Sequence, residues 1–197
     1  MESGVILEPA AIPGAYTVEL ERNVDERGFF ARTWCREEFA RAGLRVDVVQ
    51  ASISHNRLRG TLRGLHFAWP PSKEAKLVRC ERGQVFDVIV DLRPESPAFL
   101  RHVAVTLDAV ACNALYIPPG VAHGFQTLAD DCTVFYMMTE AYLPELADGV
   151  RFDDPAFGVT WPLPVSSIHP RDRGYPDFDA TVHEVRHRSA GEGERIA

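Results

Sequence analysis

Short runs of alternating apolar and polar residues, separated by glycine and proline, constrain the fold of this chain more than any other feature. In VFDVIVDL, residues 85–92, the apolar side chains at even positions share one face. The runs HVAVTLD, residues 102–108, and CTVFYMMT, residues 132–139, repeat the period of two. Turn signals such as RPESP and IPPG separate them. Many short strands with this spacing predict an all-β domain built as a sandwich, barrel or jelly roll.

Helical patterns are few. TWCREEFARAG, residues 33–43, predicts one helix with Thr33 as its N-cap and Gly43 as its stop signal, and a second helical turn is indicated near residues 143–149. The length predicts a single domain over residues 1–178, with an N-terminal arm of about the first 50 residues. Residues 179–197 are polar with mixed charge, so we expect a loosely ordered tail there.

Charge and cysteine content disfavour several classes of function. The net charge of -7 argues against nucleic acid as a partner. The four cysteines form no CxxC pair, which predicts reduced, mostly buried thiols and no zinc site. No apolar run reaches the roughly 20 residues that span a bilayer, and the N-terminus lacks a signal-peptide pattern. We therefore expect a cytoplasmic protein with no membrane partner.

Basic side chains interrupt a predicted strand pair in GTLRGLHFAWPPSKEAKLVRC, residues 60–80. An inward-facing Lys76 would imply an anionic or polar ligand, whereas the alternative is a lysine on an edge strand in solvent. His66 is a satisfied core histidine, a metal ligand or a base. Cupin-type metal sites usually place a second histidine two positions on, where this chain has Ala68, so metal binding is disfavoured even if His123 joins.

Strand parity places Arg63 and His66 on opposite faces because they are three positions apart. Both can reach one ligand only if the strand bulges or twists between them. Gly64 lies between the two and would permit such a bulge.

Five segments in order, GTLRGLHF, EAKLVRC, QVFDVIVDLRPESPAF, LYIPPGVAHGFQTL and VRFDDPAFGVTWP, resemble the dTDP-4-dehydrorhamnose 3,5-epimerase family of nucleotide-sugar epimerases. The resemblance runs from about Asp25 to Phe178, and the combination of motifs is far more specific than any one of them. It implies a cupin-like jelly roll that works as a homodimer on a nucleotide-diphosphate sugar. It implies neither a metal ion nor another cofactor.

The resemblance also implies roles for ten side chains. Four carry the proposed chemistry: His66 as base, Asp172 as its partner, Tyr136 as the acid on the opposite face of the sugar, and Lys76 near the 4-keto oxygen. Six bind substrate: Arg63 and His123 at the diphosphate, Arg27 and Phe30 on a nucleotide-binding arm, and Gln50 and Tyr142 elsewhere in the pocket.

These residue types suit an epimerisation of a 4-keto-6-deoxyhexose. The ketone at C4 acidifies the C–H bonds at C3 and C5, so proton removal gives an enolate. An imidazole, with an ordinary pKa near 6.5, suits that proton transfer, and a carboxylate on its other nitrogen orients it. An ammonium group stabilises the enolate oxygen. Inversion at C3, C5 or both needs a second acid on the other face, which a tyrosine supplies.

Three positions depart from the family pattern: Arg32 replaces a glutamate, Ser52 an asparagine and Ala68 a glutamine. All three lie on or near binding segments, so they bear on whether the nucleotide is dTDP, CDP, GDP or UDP. Neutral change at a rim is the alternative explanation. Other functions remain open on the residues alone: a 3,4-ketoisomerase, a metal-dependent cupin enzyme, or a non-catalytic module that binds sugar nucleotides.

Overall fold

The alternating runs of the sequence form two β-sheets in the computed structural model, which describes residues 4–192. In chain order the strands are β1 (Val5–Pro9), β2 (Tyr16–Leu20), β3 (Asn23–Asp25), β4 (Gly28–Phe30), β5 (Gln50–Asn56), β6 (Thr61–Ala68), β7 (Lys76–Arg82), β8 (Gln84–Asp91), β9 (His102–Asp108), β10 (Ala114–Ile117), β11 (Val121–Thr127), β12 (Cys132–Met138), β13 (Ala147–Gly149) and β14 (Ser167–Ile168). The helices are α1 (Arg36–Arg41), α2 (Pro170–Arg173) and α3 (Ala180–Glu192).

The first sheet has the order β1-β2-β10-β7-β12-β5 and the second the order β13-β6-β11-β8-β9, with β14 added in parallel to β6. Strands β3 and β4 form a separate hairpin. Buried side chains from both large sheets meet in one apolar core, which includes Val78 of the first sheet and Ile89 and Phe125 of the second. This arrangement confirms the predicted all-β jelly roll.

Both faces of β8 are buried. Val88, Val90 and Leu92 share the predicted apolar face, but this face packs outside the sandwich against aromatic residues such as Trp69 and Phe178. The other face carries Asp87, which is fully buried together with the apolar core. The more polar face of this strand therefore points into the molecule, which has consequences for the site described below.

A bulge between β6 and β11 places Arg63 and His66 at a common cavity. In the register His123 pairs with His66 and Phe125 pairs with Arg63, so the ladder shifts between them. Gly64 has a φ of +119°, and a Cβ atom there would lie 2.5 Å from the Cα of Gly124. Only glycine allows this approach. The irregularity that Gly64 was expected to permit is present here.

The helical predictions had mixed outcomes. Helix α1 lies within residues 33–43, and Gly43 follows it with a φ of +75° as the stop signal requires. The predicted N-cap is wrong, since Cys35 occupies that position and makes no side-chain capping bond. The helical turn predicted near residues 143–149 is also wrong for residues 147–149, which form β13. Strand β13 pairs with β6, and this long-range pairing overrides local helix propensity.

The C-terminal segment differs from the expected loose tail. Residues 180–192 form α3, and His183 of this helix is buried among aromatic rings and bonded to the Leu92 carbonyl at 2.7 Å. The helix carries no apolar stripe, so its sequence gives no helical signal. The remainder of the expected tail, residues 193–197, lies outside the described residues.

No helix within residues 4–192 combines the length and apolar character needed to cross a membrane. The four cysteines are free thiols, two of them buried and two half-buried. Burial raises the pKa of the Cys80 thiol to about 12, so this thiol stays protonated.

Candidate active site

A cleft of about 320 Å³ opens between the two sheets. His66 and Ala68 line it from the second sheet, and Lys76 and Tyr136 line it from the first. An adjoining cavity of about 240 Å³ shares His66, Lys76 and Tyr136 and adds Arg63 and His123 to its lining. The fold thus gathers side chains from four strands, β6, β7, β11 and β12, around the cleft and the adjoining cavity.

The His66 imidazole is bonded to a buried carboxylate. Its Nε2 lies 2.9 Å from Oδ1 of Asp172, a residue 106 positions away on helix α2. Because an ionised carboxylate only accepts hydrogen bonds, Nε2 donates, and Nδ1 is the unprotonated nitrogen of the neutral ring. The His66 side chain is 37% exposed and that of Asp172 only 4%. This geometry leaves the imidazole accessible and its partner fixed.

Asp172 stays ionised despite its burial. Burial by itself would raise the pKa of this carboxyl, but the hydrogen bond from His66, the Gly64 amide at 3.2 Å and the nearby Arg171 guanidinium outweigh it. Together they hold the pKa of Asp172 below its ordinary value. The carboxylate can therefore orient the ring and stabilise an imidazolium.

Arg171 belongs to the site, although the sequence did not single it out. Its Nε lies 3.4 Å from Oδ1 of Asp172, and its Nη2 lies 3.3 Å from Nε2 of His66. Since Nε2 already donates to Asp172, the attractive contact of the guanidinium is the one with the carboxylate. Arg171 also lines the cleft, as does Tyr175. The only signal for Arg171 in the sequence is its position beside Asp172.

Tyr136 lines the cleft from strand β12, on the sheet opposite to that of His66. Burial, followed by the negative charge of Asp87, raises the pKa of its phenol well above the ordinary value, and Arg63 opposes this shift only in part. The phenol therefore stays protonated near neutral pH, as a proton donor requires.

Lys76 forms an ion pair with Glu74 inside the cleft. The Nζ atom donates to Oε2 of Glu74, and the two side chains are 19% and 16% exposed. Lys76 therefore faces inward rather than lying in solvent on an edge strand. The positive charge of its ammonium group is balanced by a carboxylate of the chain itself. Glu74 is not among the residues for which the sequence predicted a role.

A second histidine–carboxylate pair lies beside Tyr136. Nε2 of His123 is 2.8 Å from Oδ2 of Asp87, and both side chains are almost fully buried. Burial raises the pKa of Asp87, and His123 lowers it only in part. The other carboxylate oxygen of Asp87 finds no hydrogen-bond partner within residues 4–192.

The remaining predicted binding residues lie in three different places. Gln50 and Tyr142 line the cleft and contact each other, with Tyr142 N donating to Gln50 Oε1 at 3.2 Å. Arg63 lies on the adjoining cavity and donates to Asn56 Oδ1 at 2.7 Å. Arg27 and Phe30 are not brought to either space, because they lie on the exposed β3–β4 hairpin.

Two of the three departures from the family pattern lie in the cleft. Ser52 and Ala68 both line it, and Ala68 is paired with Ala147 of β13, so two small side chains stand together near His66. The third, Arg32, instead donates to Glu38 of α1 at 2.9 Å. Within residues 4–192 no group of three or more histidine, cysteine or acidic side chains is arranged to hold a metal ion.

Comparison with known proteins gives a consistent result. The family model described as dTDP-4-dehydrorhamnose 3,5-epimerase matches residues 9–180. A dTDP-4-dehydrorhamnose 3,5-epimerase of Methanothermobacter thermautotrophicus is 43% identical over 153 residues, which cover 78% of this chain and 82% of the relative. A dTDP-4-dehydrorhamnose 3-epimerase of Streptomyces niveus is 37% identical over 168 residues, covering 85% and 81%.

Solved structures agree with these relatives. The dTDP-4-dehydrorhamnose 3,5-epimerase of Bacillus anthracis, with TDP and PPi bound, superimposes with a TM-score of 0.85 at 31% identity. The match covers 89% of this chain and 100% of that structure.

Proposed function

The chain belongs to the dTDP-4-dehydrorhamnose 3,5-epimerase family, and on this premise we propose that it is an isomerase that inverts C3, C5 or both of an NDP-4-keto-6-deoxyhexose in deoxysugar biosynthesis. One observation carries the proposal: an imidazole held by a buried carboxylate and a protonated phenol line one cleft from its two sheets, with an ammonium group beside them.

In the proposed reaction His66 removes the proton from C3 or C5 of the sugar. The electron pair of the C–H bond moves to form the enolate, and the negative charge develops on the C4 oxygen, to which Lys76 donates a hydrogen bond. Tyr136 then gives its proton to the same carbon from the opposite face, and the C4 ketone is restored. The imidazolium and the tyrosinate return to their starting forms by proton exchange with solvent.

The charges of the site suit each step. An ionised Asp172 fixes the tautomer of His66 and stabilises the imidazolium that forms. A phenol with a raised pKa is still protonated when the enolate needs a proton. Arg63 and His123, which line the adjoining cavity, are proposed to hold the diphosphate, and Gln50 with Tyr142 to contact the nucleotide.

We further propose a homodimer, in the cytoplasm, with dTDP as the first nucleotide to test. The β3–β4 hairpin supports a dimer, since it exposes 76% of Val24 and 72% of Phe30 although both are large apolar residues. In a dimer this hairpin would carry Arg27 and Phe30 to the cleft of a second copy. The dTDP in the names of the relatives supports the nucleotide.

The test is deuterium uptake from D2O into dTDP-4-keto-6-deoxyglucose, followed by NMR at C3 and C5. The wild type should exchange one or both positions, and the product spectrum separates an epimer from a 3,4-ketoisomer. His66→Ala should abolish exchange without changing the far-UV circular dichroism. His102→Ala, at an exposed histidine of β9, is the control and should keep exchange.

Absence of exchange with the dTDP, CDP, GDP and UDP sugars alike would reject the epimerase function. Exchange that persists in His66→Ala would show that another group is the base. A screen for thermal stabilisation by the four nucleoside diphosphates identifies the nucleotide independently, because a ligand that binds only the folded state raises the melting temperature.

A further inference from the structure

Both partners of the Glu74–Lys76 ion pair stand inside the cleft. Both side chains line the space that His66 and Tyr136 also line, and both are largely removed from solvent. Solvent therefore screens their attraction less than it screens that of a surface pair. Lys76 is the first residue of β7, and Glu74 lies on the preceding loop.

The loop that carries Glu74 is itself tied down. The Glu74 amide donates to Ser72 Oγ at 3.2 Å, and that hydroxyl donates to Glu140 at 2.9 Å. On the other side of Glu74, the Ala75 amide donates to Thr139 Oγ1 at 2.8 Å. The carboxylate thus extends from a backbone with fixed hydrogen bonds on both sides, rather than from a freely moving turn.

We infer that Glu74 is a positioning residue for the proposed epimerisation, acting through Lys76. This inference rests on the proposed function. A lysine stem has many rotamers, and a fixed counter-ion restricts them before the substrate arrives. The same carboxylate offsets the cost of keeping an ammonium charged in a partly dry cleft. One N–H of Lys76 is used by Glu74, which leaves two for the C4 oxygen.

The carboxylate also has an opposite effect that the experiment must separate. By neutralising part of the ammonium charge, it weakens the field that Lys76 exerts on the enolate oxygen. If this effect dominated, removal of the carboxylate would accelerate the reaction. If positioning dominates, as we infer, removal slows it. The two physical effects predict rate changes of opposite sign.

The chain offers a matched control for the substitution. Arg79 and Glu81 form another ion pair two residues apart, on β7 itself, with side chains 24% and 41% exposed. Neither residue lines the cleft. Glu81→Gln therefore removes the carboxylate of a neighbouring pair without touching the proposed chemistry.

The experiment measures kcat and KM of the exchange reaction between pH 6 and pH 9 for the wild type, Glu74→Gln, Glu74→Asp and Glu81→Gln. Removing an oxyanion donor outright costs about 10²- to 10³-fold in kcat, so loss of its alignment in Glu74→Gln should cost about 10- to 100-fold. KM should change by less than about threefold, since catalysis and not ground-state binding is affected.

Glu74→Asp keeps a carboxylate and should recover part of kcat, and Glu81→Gln should match the wild type. A Glu74→Gln enzyme with wild-type or higher kcat would overturn the inference while the proposed function stands. A change confined to KM would also overturn it, because Glu74 would then bind the substrate directly. A wild type without exchange would reject the proposed function and this inference together. Equal melting temperatures of the four proteins establish that folding is not the cause.

Discussion

Two histidine–carboxylate pairs, one at the cleft and one at the adjoining cavity, have nearly the same bond length but different surroundings. His66 and Asp172 are 2.9 Å apart, and His123 and Asp87 are 2.8 Å apart. Yet the pKa of Asp172 lies below its ordinary value, whereas that of Asp87 lies above it. The identity of the pair therefore does not decide its chemistry.

The surroundings of each carboxylate explain the difference. Asp172 accepts from His66 and from the Gly64 amide and lies beside a guanidinium, so its charge is well solvated by the protein. Asp87 accepts from His123 alone, and its second oxygen has no partner within residues 4–192. Burial therefore outweighs the one partner of Asp87, whereas at Asp172 the two donors and the guanidinium together outweigh burial.

The difference also suits the two pairs to different roles in the proposed reaction. The His66 pair is open to a ligand and holds an ionised acceptor behind its ring, which suits a base. The His123 pair is more deeply buried, although His123 lines the adjoining cavity, and its ring lies 5.9 Å from that of Tyr136. Negative charge on Asp87 contributes to the raised pKa of Tyr136, so this pair favours a protonated phenol. In the proposed reaction, one pair serves proton removal and the other supports proton donation by Tyr136.

Asp172→Asn would break the first pair and should have the largest effect. Asparagine keeps the size of the side chain but removes the charge that stabilises the imidazolium, so we expect deuterium exchange to slow by about 10²- to 10⁴-fold. The measurement is the rate of exchange at C3 and C5 by NMR. Asp153→Asn, at an exposed carboxylate paired with Arg151, is the control and should leave the rate unchanged. A wild-type rate in Asp172→Asn would refute the orienting role.

Tyr136→Phe would separate the two halves of the reaction. His66 should still remove the proton and return a deuteron to the same face, so exchange continues while inversion slows by about 10²-fold or more. NMR distinguishes deuterium wash-in from formation of the epimer. Tyr16→Phe on β2, outside the cleft, is the control. Inversion at the wild-type rate would assign the acid to another group, and Tyr175 of the same cleft would be the next to test.

The pH dependence of stability should distinguish the two carboxylates by sign. Because the pKa of Asp172 is lowered in the folded state, its ionised carboxylate stabilises the fold above its ordinary pKa, and this stability is lost as the pH falls. Asp172→Asn should therefore lose less stability than the wild type between pH 7 and pH 3. Because the pKa of Asp87 is raised in the folded state, its protonated carboxyl stabilises the fold at low pH, and this stability is lost as the pH rises. Asp87→Asn lacks this gain on acidification, so it should lose more stability than the wild type between pH 7 and pH 3. Urea midpoints over this range measure both. Deviations of the same sign would contradict the comparison.

His183 extends the comparison to a buried histidine whose partner is a backbone carbonyl, and here we expect the smallest effect. Burial lowers the pKa of His183, so its contribution to stability is present above the ordinary pKa and is lost as the pH falls below it. His183→Phe should cost about 1–3 kcal/mol at pH 7.5, because the Leu92 carbonyl loses its donor. The difference from the wild type should shrink by pH 5.5. A constant difference in thermal or urea unfolding would exclude this titration.

Much of the fold was readable from local patterns, because alternation with a period of two reports directly which residues share a face. It predicted the strands around residues 85–92, 102–108 and 132–139, and the glycine at position 64 indicated where a bulge would be permitted. Alternation does not report which face points inward. In β8 the face with Asp87 lies inside the sandwich, which no count of apolar residues indicated.

Helix α3 is an element that local sequence patterns did not predict. It has no apolar stripe, and it is held by single contacts such as Arg186 over Trp69 at 4.2 Å and the ion pair of Arg186 with Asp148 at 3.0 Å. Such contacts join residues more than 30 positions apart. A local pattern has no means of signalling them, and the expectation of a loose tail was wrong for residues 180–192 for this reason.

The sequence by itself determined the class of fold, the family and the set of residue types available for proton transfer, because strand periodicity and motif order are local properties. Only the tertiary structure decided which of these residues meet. It brought Asp172 to His66 across 106 positions, placed Glu74 against Lys76 in the cleft, and left Arg27 and Phe30 on an exposed hairpin. It also set the opposite pKa shifts of the two carboxylates, since burial and the number of donors exist only once the chain has folded.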